Sequence, residues 1–513
     1  MAEMLINNWG GGIWDDTFLA RDGECLDMEN IDIRTTPRKI SCDQSFLWAY
    51  ATITAPYSDT LSYVTETIDW VVQSYGSHCY INSTNIDTLV AGADKHITIG
   101  SNFSDYNATT NPEWVRHLFF TYNWTTNPIK IVWRSGGVNA VLTTINTSGW
   151  ASPANIANAR TTAVSYIWEG AILFARDNKI FELNPSTNIL STGATAPASN
   201  TGARIILEIG AIVKDIYYFN WQVVVIYTIS NTTKIVTFSV VVDSGSPSGY
   251  YYRQNAYIDT QIGEKCFDSV CNGQFIYWIS PSGIWTYSGN SELVKRVALS
   301  SSSICSYNKW ILRIADVTTF YEYWVQKPLY GNPLTKKINT QPMYGVTENY
   351  VITYWTMATT PFTTWFFQDW INTAYKNSTY IFHPYTAGQF WINKKWLGIV
   401  IGYTLPRGSY TDPSIQCSIT VAVQTYDMYE SNPNTYTTIA TITDKTKTSK
   451  DIMFTEISKA LWDAGYSDEV SLFKIKLTLN AWDPYSAYGN TLFRKTPEVY
   501  DIYFTHEEIK LSI

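Results

Sequence analysis

Pairs of short apolar and aromatic runs, each split by a brief polar turn, recur at Asp69–Tyr80, His117–Trp133, Val164–Leu183, Ile216–Val240 and Phe275–Tyr287. Further copies lie at Lys309–Val325 and Tyr350–Phe367. Their centres are about 50 residues apart, the period of one four-stranded propeller blade. Inner blade strands are buried on both faces and read as continuous apolar runs, whereas outer strands alternate. Trp221–Tyr227 is of the continuous kind and Lys179–Leu183 of the alternating kind. The connections carry turn formers, as in Asn184-Pro185-Ser186 and Ser244–Gly249, where Pro presets φ and Gly permits φ > 0.

Past about residue 390 the pattern changes to long, regular alternation. Ile415, Cys417, Ile419, Val421 and Val423 fall on one side of a strand, with Gln416, Ser418 and Thr420 on the other. Phe473, Ile475, Leu477 and Leu479 do the same against Lys474, Lys476 and Thr478. With Trp396–Tyr403, Tyr436–Ile442 and Glu498–Phe504 they make a half-exposed antiparallel set, which assembles most economically as a jelly-roll-like β-sandwich. One helix is predicted, Phe454–Ala464, with Thr455 to cap it and Gly465 to end it. The expected fold is therefore all-β: a β-propeller of about six or seven blades over 41–388 and a sandwich over 389–513, preceded by a segment at 1–40.

Composition agrees with sheets. Aromatics reach 15%, with 37 Tyr and 21 Trp, and such flat side chains, like branched ones, pack well across pleated surfaces. Charged residues make up only 16%, against roughly 25% in an average soluble domain. The net charge of -8, without any long Lys or Arg run, argues against sequence-independent DNA binding. The opening Met1–Gly12 lacks a basic leader and an apolar stretch, and no run of 18 apolar residues occurs, so synthesis in a cytosol without membrane insertion is expected.

Candidate chemistry is sparse. Seven scattered cysteines (Cys25, Cys42, Cys79, Cys266, Cys271, Cys305, Cys417) read as buried free thiols, and the Cys266/Cys271 spacing is not that of a zinc knuckle. The five histidines (His78, His96, His117, His383, His506) show no i,i+4 pairing. Phosphate-cradle, zinc-helix and serine-elbow motifs are absent, the nearest miss being Gly245–Gly249, with Pro247 where a nucleophile would sit. Asp15 with Asp16, or Asp463 with Asp483, could pair in space as glycosidase acids do, but spacing cannot bring them together. Trp355, Trp365, Trp370, Trp391 and Trp396 could stack sugars, although core packing is the simpler use. Sequons such as Asn82, Asn107, Asn123, Asn231 and Asn377 read as chance in a chain so rich in Asn and Thr. No catalytic, cofactor-binding or metal-binding residue is assigned, and no enzyme activity or cofactor is expected.

Asn7–Cys42 (NNWGGGIWDDTFLARDGECLDMENIDIRTTPRKISC) resembles the opening of propeller proteins of bacteriophage tails and connectors. There a Gly-Gly pair is followed by an acidic, Asn-containing strand and a basic turn, and Gly11, Gly12, Asn30, Arg34 and Arg38 take those places, with Thr36-Pro37 where a Gly is usual. Phe390-Trp391, Trp396–Ile399 and Thr496–Tyr500 resemble the sandwich that accompanies such propellers. The resemblance implies a virion structural protein, a tail collar, nozzle or hub, assembled in the host cytoplasm from copies of itself and other tail proteins. A receptor- or carbohydrate-binding tail protein on the same scaffold is the alternative, and a glycan hydrolase a third. The 1–40 segment is expected to clasp first blade to last through Cys25, Leu26, Met28, Ile31 and Ile33. Its other reading is an arm that docks on a neighbouring subunit.

Overall fold

The computed structural model describes most of 2–46, strand backbone within 51–190, and 203–508 except 244–249, 260–262, 309, 326–331, 339–342, 347–349, 356–361, 369–372, 376, 385–393, 407–416, 427–434, 471 and 482–495. Side chains are described mainly in 4–43, 203–346 and 377–506.

Among the described residues seven antiparallel sheets follow one another along the chain, six of them built on a four-strand meander. The first six begin at Leu61–Glu66, Ile97–Ser101, Thr161–Tyr166, Ile212–Phe219, Asp268–Cys271 and Ile304–Asn308. In each, the hairpin legible in the sequence contains the second and third strands; in the fifth these are Ile276–Ser280 and Gly283–Tyr287. The seventh sheet holds Met343–Val346, Tyr350–Trp355 and Phe362–Gln368, and takes its outer strand from Ala51–Ala55. First strands of the second to seventh sheets lie against one another in succession, and that of the seventh lies against that of the first. Among the described residues the seven sheets thus stack side by side across six successive joints, the arrangement of a seven-bladed propeller with the first strands innermost.

Closure by Ala51–Ala55 corrects the expectation for the N-terminal segment. A propeller must pair its last open edge, and the strand that does so here is the one just before the first blade, in register Phe362↔Ala55 to Phe366↔Ala51. Residues 9–43 instead tie the sixth blade to the sandwich. Gly12 pairs with Leu334 on the outer strand of the sixth blade, and Asp27–Glu29 pairs with Ser378–Ile381. Gly12 has φ 73°, and a Cβ there would meet the Leu334 nitrogen at 2.3 Å, so only glycine allows this approach. Asn30, at φ 54°, receives Asp43 and Ser378 on its carbonyl at 2.6 Å each, while its N–H donates to the Lys336 carbonyl at 2.8 Å. Asn tolerates this left-handed conformation better than a branched residue would.

The sandwich has two antiparallel sheets. One orders Ser449–Met453, Lys394–Thr404, Glu498–Glu508, Ile40–Cys42 and Ile31–Asp32, with Ala2–Ile6 also on Glu498–Glu508. The other orders Asp27–Glu29, Ser378–Ile381, Leu472–Asn480, Ser418–Tyr426 and Thr437–Ile442. The chain crosses between the sheets from Ser378–Ile381 to Lys394–Thr404 to Ser418–Tyr426, and again from Leu472–Asn480 to Glu498–Glu508, as in a jelly roll, and Leu472–Asn480 alternates regularly, burying Phe473, Ile475, Leu477 and Leu479. The helix is Phe454–Asp463, ended at Gly465 (φ 80°) as the sequence implies. Its start differs: Met453 stands at the cap and its N–H donates to the Glu456 carboxylate at 2.8 Å, so Thr455 lies inside the first turn. Among the described residues no helix is long and apolar enough to cross a membrane.

Candidate functional site

The chemistry-bearing residues singled out in the sequence disperse. Trp396 is core, 1% exposed and stacked on Phe473 at 4.3 Å between ring centroids. Asp15 pairs with Arg296 at 3.3 Å and Asp463 with Lys459 at 2.7 Å, while Asp16 and Asp483 lie outside the described residues. So do Gly245–Gly249, Trp370, Trp391 and the side chains of Trp355 and Trp365. Cys266 is a buried thiol, and burial pushes its pKa well above the ordinary range. Among the described residues no group of three or more His, Cys, Asp or Glu is placed to hold a metal.

Two arrangements that the sequence did not reveal emerge instead. The first joins the inner strands of blades four, five and six. Ser269 Oγ donates to Asp215 Oδ2 and lies 3.0 Å from the Tyr217 hydroxyl, and the Cys305 N–H donates to Asp268 Oδ2 at 2.7 Å. Burial pushes Asp215 up to about 8, and the neighbouring Asp268 charge adds to it against the Ser269 hydrogen bond. Asp268 rises too, again mainly by burial, although the N–H groups of Cys305 and Ser269 favour its ionised form. Two interacting carboxyls largely shielded from water cannot both ionise cheaply, so the pair keeps a proton near neutrality. Its three-blade hydrogen bonding makes it a fastener of the inner ring.

The second is a set of large apolar side chains left in solvent at separate places. On blade four and the segment leading into it are Ile209 (95% exposed), Trp221 (83%) and Val242 (79%); on blade six is Trp310 (53%); beside the sandwich helix are Trp462 (82%) and Met453 (64%). Trp462 and Met453 bracket an amphipathic helix whose inner face buries Ile457 and Leu461. A folded frame gains nothing from these positions, since each leaves apolar area in water.

No family model matches the chain, and no curated protein matches it. Among solved structures it is similar to the extracellular domain of a putative one-component system from B. thetaiotaomicron, at 7% identity and TM-score 0.40, covering 84% of this chain and 59% of that one. The Neurospora crassa Pan2 WD40 domain is similar at 8% identity and TM-score 0.35 over 65% of this chain and 97% of that one. A regucalcin, described as a calcium-binding protein, from Agrobacterium tumefaciens is similar at 10% identity and TM-score 0.30, over 54% of this chain and 92% of that one. The chain thus spans about three fifths of the bacterial extracellular domain it matches.

Proposed function

We propose that the chain is a structural protein of a bacteriophage virion, a collar, nozzle or hub component of the tail, acting through protein–protein assembly and without catalysis. The observation that carries this reading is the distribution of Ile209, Met453 and Trp462, exposed on different parts of one frame. A building block that meets several neighbours needs contact groups on several sides, and permanent interfaces favour aromatic residues and Met over charge. The Asn7–Cys42 resemblance supports it, since Gly12 and Asn30 are the residues that fasten ring to sandwich. A net charge of -8 suits a ring through which DNA passes without adhering.

Mass photometry of the purified protein tests the reading. A discrete ring of several copies is expected, dispersed to monomer by Trp462→Ser combined with Ile209→Ser at unchanged melting temperature. Gold-labelled antibody against the protein should also decorate the tails of particles made from the encoding genome. A protein monomeric at every concentration and missing from particles would end the proposal.

A further inference from the structure

The connection from first to second strand of blade four is a two-residue hairpin turn, Asn220-Trp221, with φ 48° and 61°. Both central residues of such a turn take positive φ, and Asn-Gly is the pair that does so at least cost. A tryptophan in the second position is the opposite of what folding prefers: the conformation strains a bulky residue, and the indole is 83% exposed. Trp310 sits just before the second strand of blade six, at the equivalent turn, and is 53% exposed. Between them the blade-five turn Asn272–Phe275 is held by Asn272 Oδ1, which accepts from the Gln274 and Phe275 N–H groups at 2.9 and 2.7 Å. In chain order the same connection of the first three sheets carries Trp70, Trp114 and Trp168, residues outside those described. Trp221 is thus an exposed aromatic held where folding disfavours it, and Trp310 an exposed aromatic at the corresponding turn, which points to a ligand.

What surrounds Trp221 says which ligand. Gln222 pairs with Ser239 and Ser239 with Arg253, a polar row across three strands. Asn255 stands at the bulge in the outer strand, and its side-chain Oδ1 accepts from Ser239 Oγ at 2.7 Å. This row lies on the blade face whose deeper residues, Val224 and Ile226, pack against blade five. Beyond it the outer hairpin runs past the turn through Val240↔Tyr252, Val241↔Tyr251 and Val242↔Tyr250, a wing that exposes Tyr251 and Val242. A lipid surface would call for aliphatic and several cationic groups around the indole, and a protein partner for a continuous apolar patch. An indole at the turn from which a strand-crossing row of amide, hydroxyl and guanidinium residues starts matches a pyranose, whose apolar face stacks on the ring while its hydroxyls meet planar polar side chains.

We propose that the Trp221 turn, with Gln222, Ser239, Arg253 and Asn255, binds the pyranose rings of a glycan, and that Trp310 offers a second platform on the same face of the ring. This goes beyond the assembly role and stands independently of it. Arg253 suits vicinal hydroxyls or a sugar carboxylate, two sources that the test separates.

Titration of the full-length protein with cellohexaose, maltohexaose and a hexameric polyuronate, followed by calorimetry, supplies that test. Saturable binding in the millimolar range or tighter is expected for at least one probe. Trp221→Gly, which gives the turn the residue folding favours, should raise or preserve the melting temperature while weakening binding by more than about tenfold. Arg253→Gln should weaken only the polyuronate if a carboxylate is read, and all bound probes equally if hydroxyls are. The proposal fails if no probe binds, if Trp221→Gly binds as well as the parent, or if that variant alters only the copy number of the ring.

Discussion

Lys295 and Glu24 show how much rests on single side chains. They pair at 2.8 Å with 6% and 5% of their side chains exposed, and the Lys295 ammonium also donates to the Gly11 carbonyl at 2.7 Å. Such a pair adds little net stability over a well-packed apolar one, but breaking it strands a charge. Glu24→Gln is therefore expected to cost about 3–5 kcal/mol in urea unfolding, and the double variant Glu24→Leu/Lys295→Met less than that single change. A double variant as unstable as the sum of its singles would contradict this. The Asp215–Asp268 pair gives a pH dependence. The folded protein keeps a proton on Asp215 between its ordinary 3.8 and about 8, where the unfolded chain has lost it. Folded-state protons exceed unfolded ones in that window, so this pair's contribution to stability declines as pH rises through it. Asp215→Asn should flatten that decline, raising the melting temperature at pH 8 relative to the parent and leaving it unchanged at pH 4. None of these residues was legible in the sequence, because Asp215 and Asp268, or Glu24 and Lys295, meet only once separate blades or segments are brought side by side.

At the scale of elements the sequence spoke more clearly. Period-two alternation marked Leu472–Asn480 because one face is core and the other is not, and a continuous apolar run marked Gln222–Ile229 because both faces are packed. What periodicity could not assign was partnership. Ala51–Ala55 reads like any short strand, and nothing in it names Phe362–Gln368 as its neighbour. The same holds for the helix start, where Thr455 looked the better cap but the strand Ser449–Met453 runs straight into the first turn. Thr54 and Thr363 stand directly opposite each other at the closure. Thr54→Cys with Thr363→Cys should therefore form a cross-strand disulfide under oxidation, moving the urea midpoint up by the equivalent of about 2–4 kcal/mol. Failure of this pair to cross-link, with efficient cross-linking at Thr52 to another strand, would relocate the closure.

Over the whole molecule, ring and sandwich share one apolar core. Trp9, fully buried, meets Tyr380 and Phe382 edge-on and donates to the Tyr500 carbonyl at 3.0 Å. Ile13 and Leu334 continue that core into the ring, where Tyr277 and Ile279 of blade five and Leu312 and Tyr323 of blade six belong to it. Intrinsic tryptophan fluorescence and far-ultraviolet circular dichroism should accordingly report the same urea midpoint, as one cooperative unit requires. Two separated transitions would mean that the sandwich unfolds on its own. Removing residues 1–38 takes out Trp9, Ile13, Met28 and Ile31 together, and insoluble protein is the expected result.

Ring closure by Ala51–Ala55 also sets an order of events during synthesis. The strand leaves the ribosome before any blade, yet its partner Phe362–Gln368 is made only after six other sheets, and the partners of Ala2–Ile6 come later still, at Ile502–His506. At roughly 5–20 residues per second, the first strands wait on the order of half a minute with an unpaired edge. The nascent chain must therefore be shielded through most of its own translation, and a pause or truncation anywhere before the seventh blade leaves an open sheet ready to join a neighbouring polysome's product.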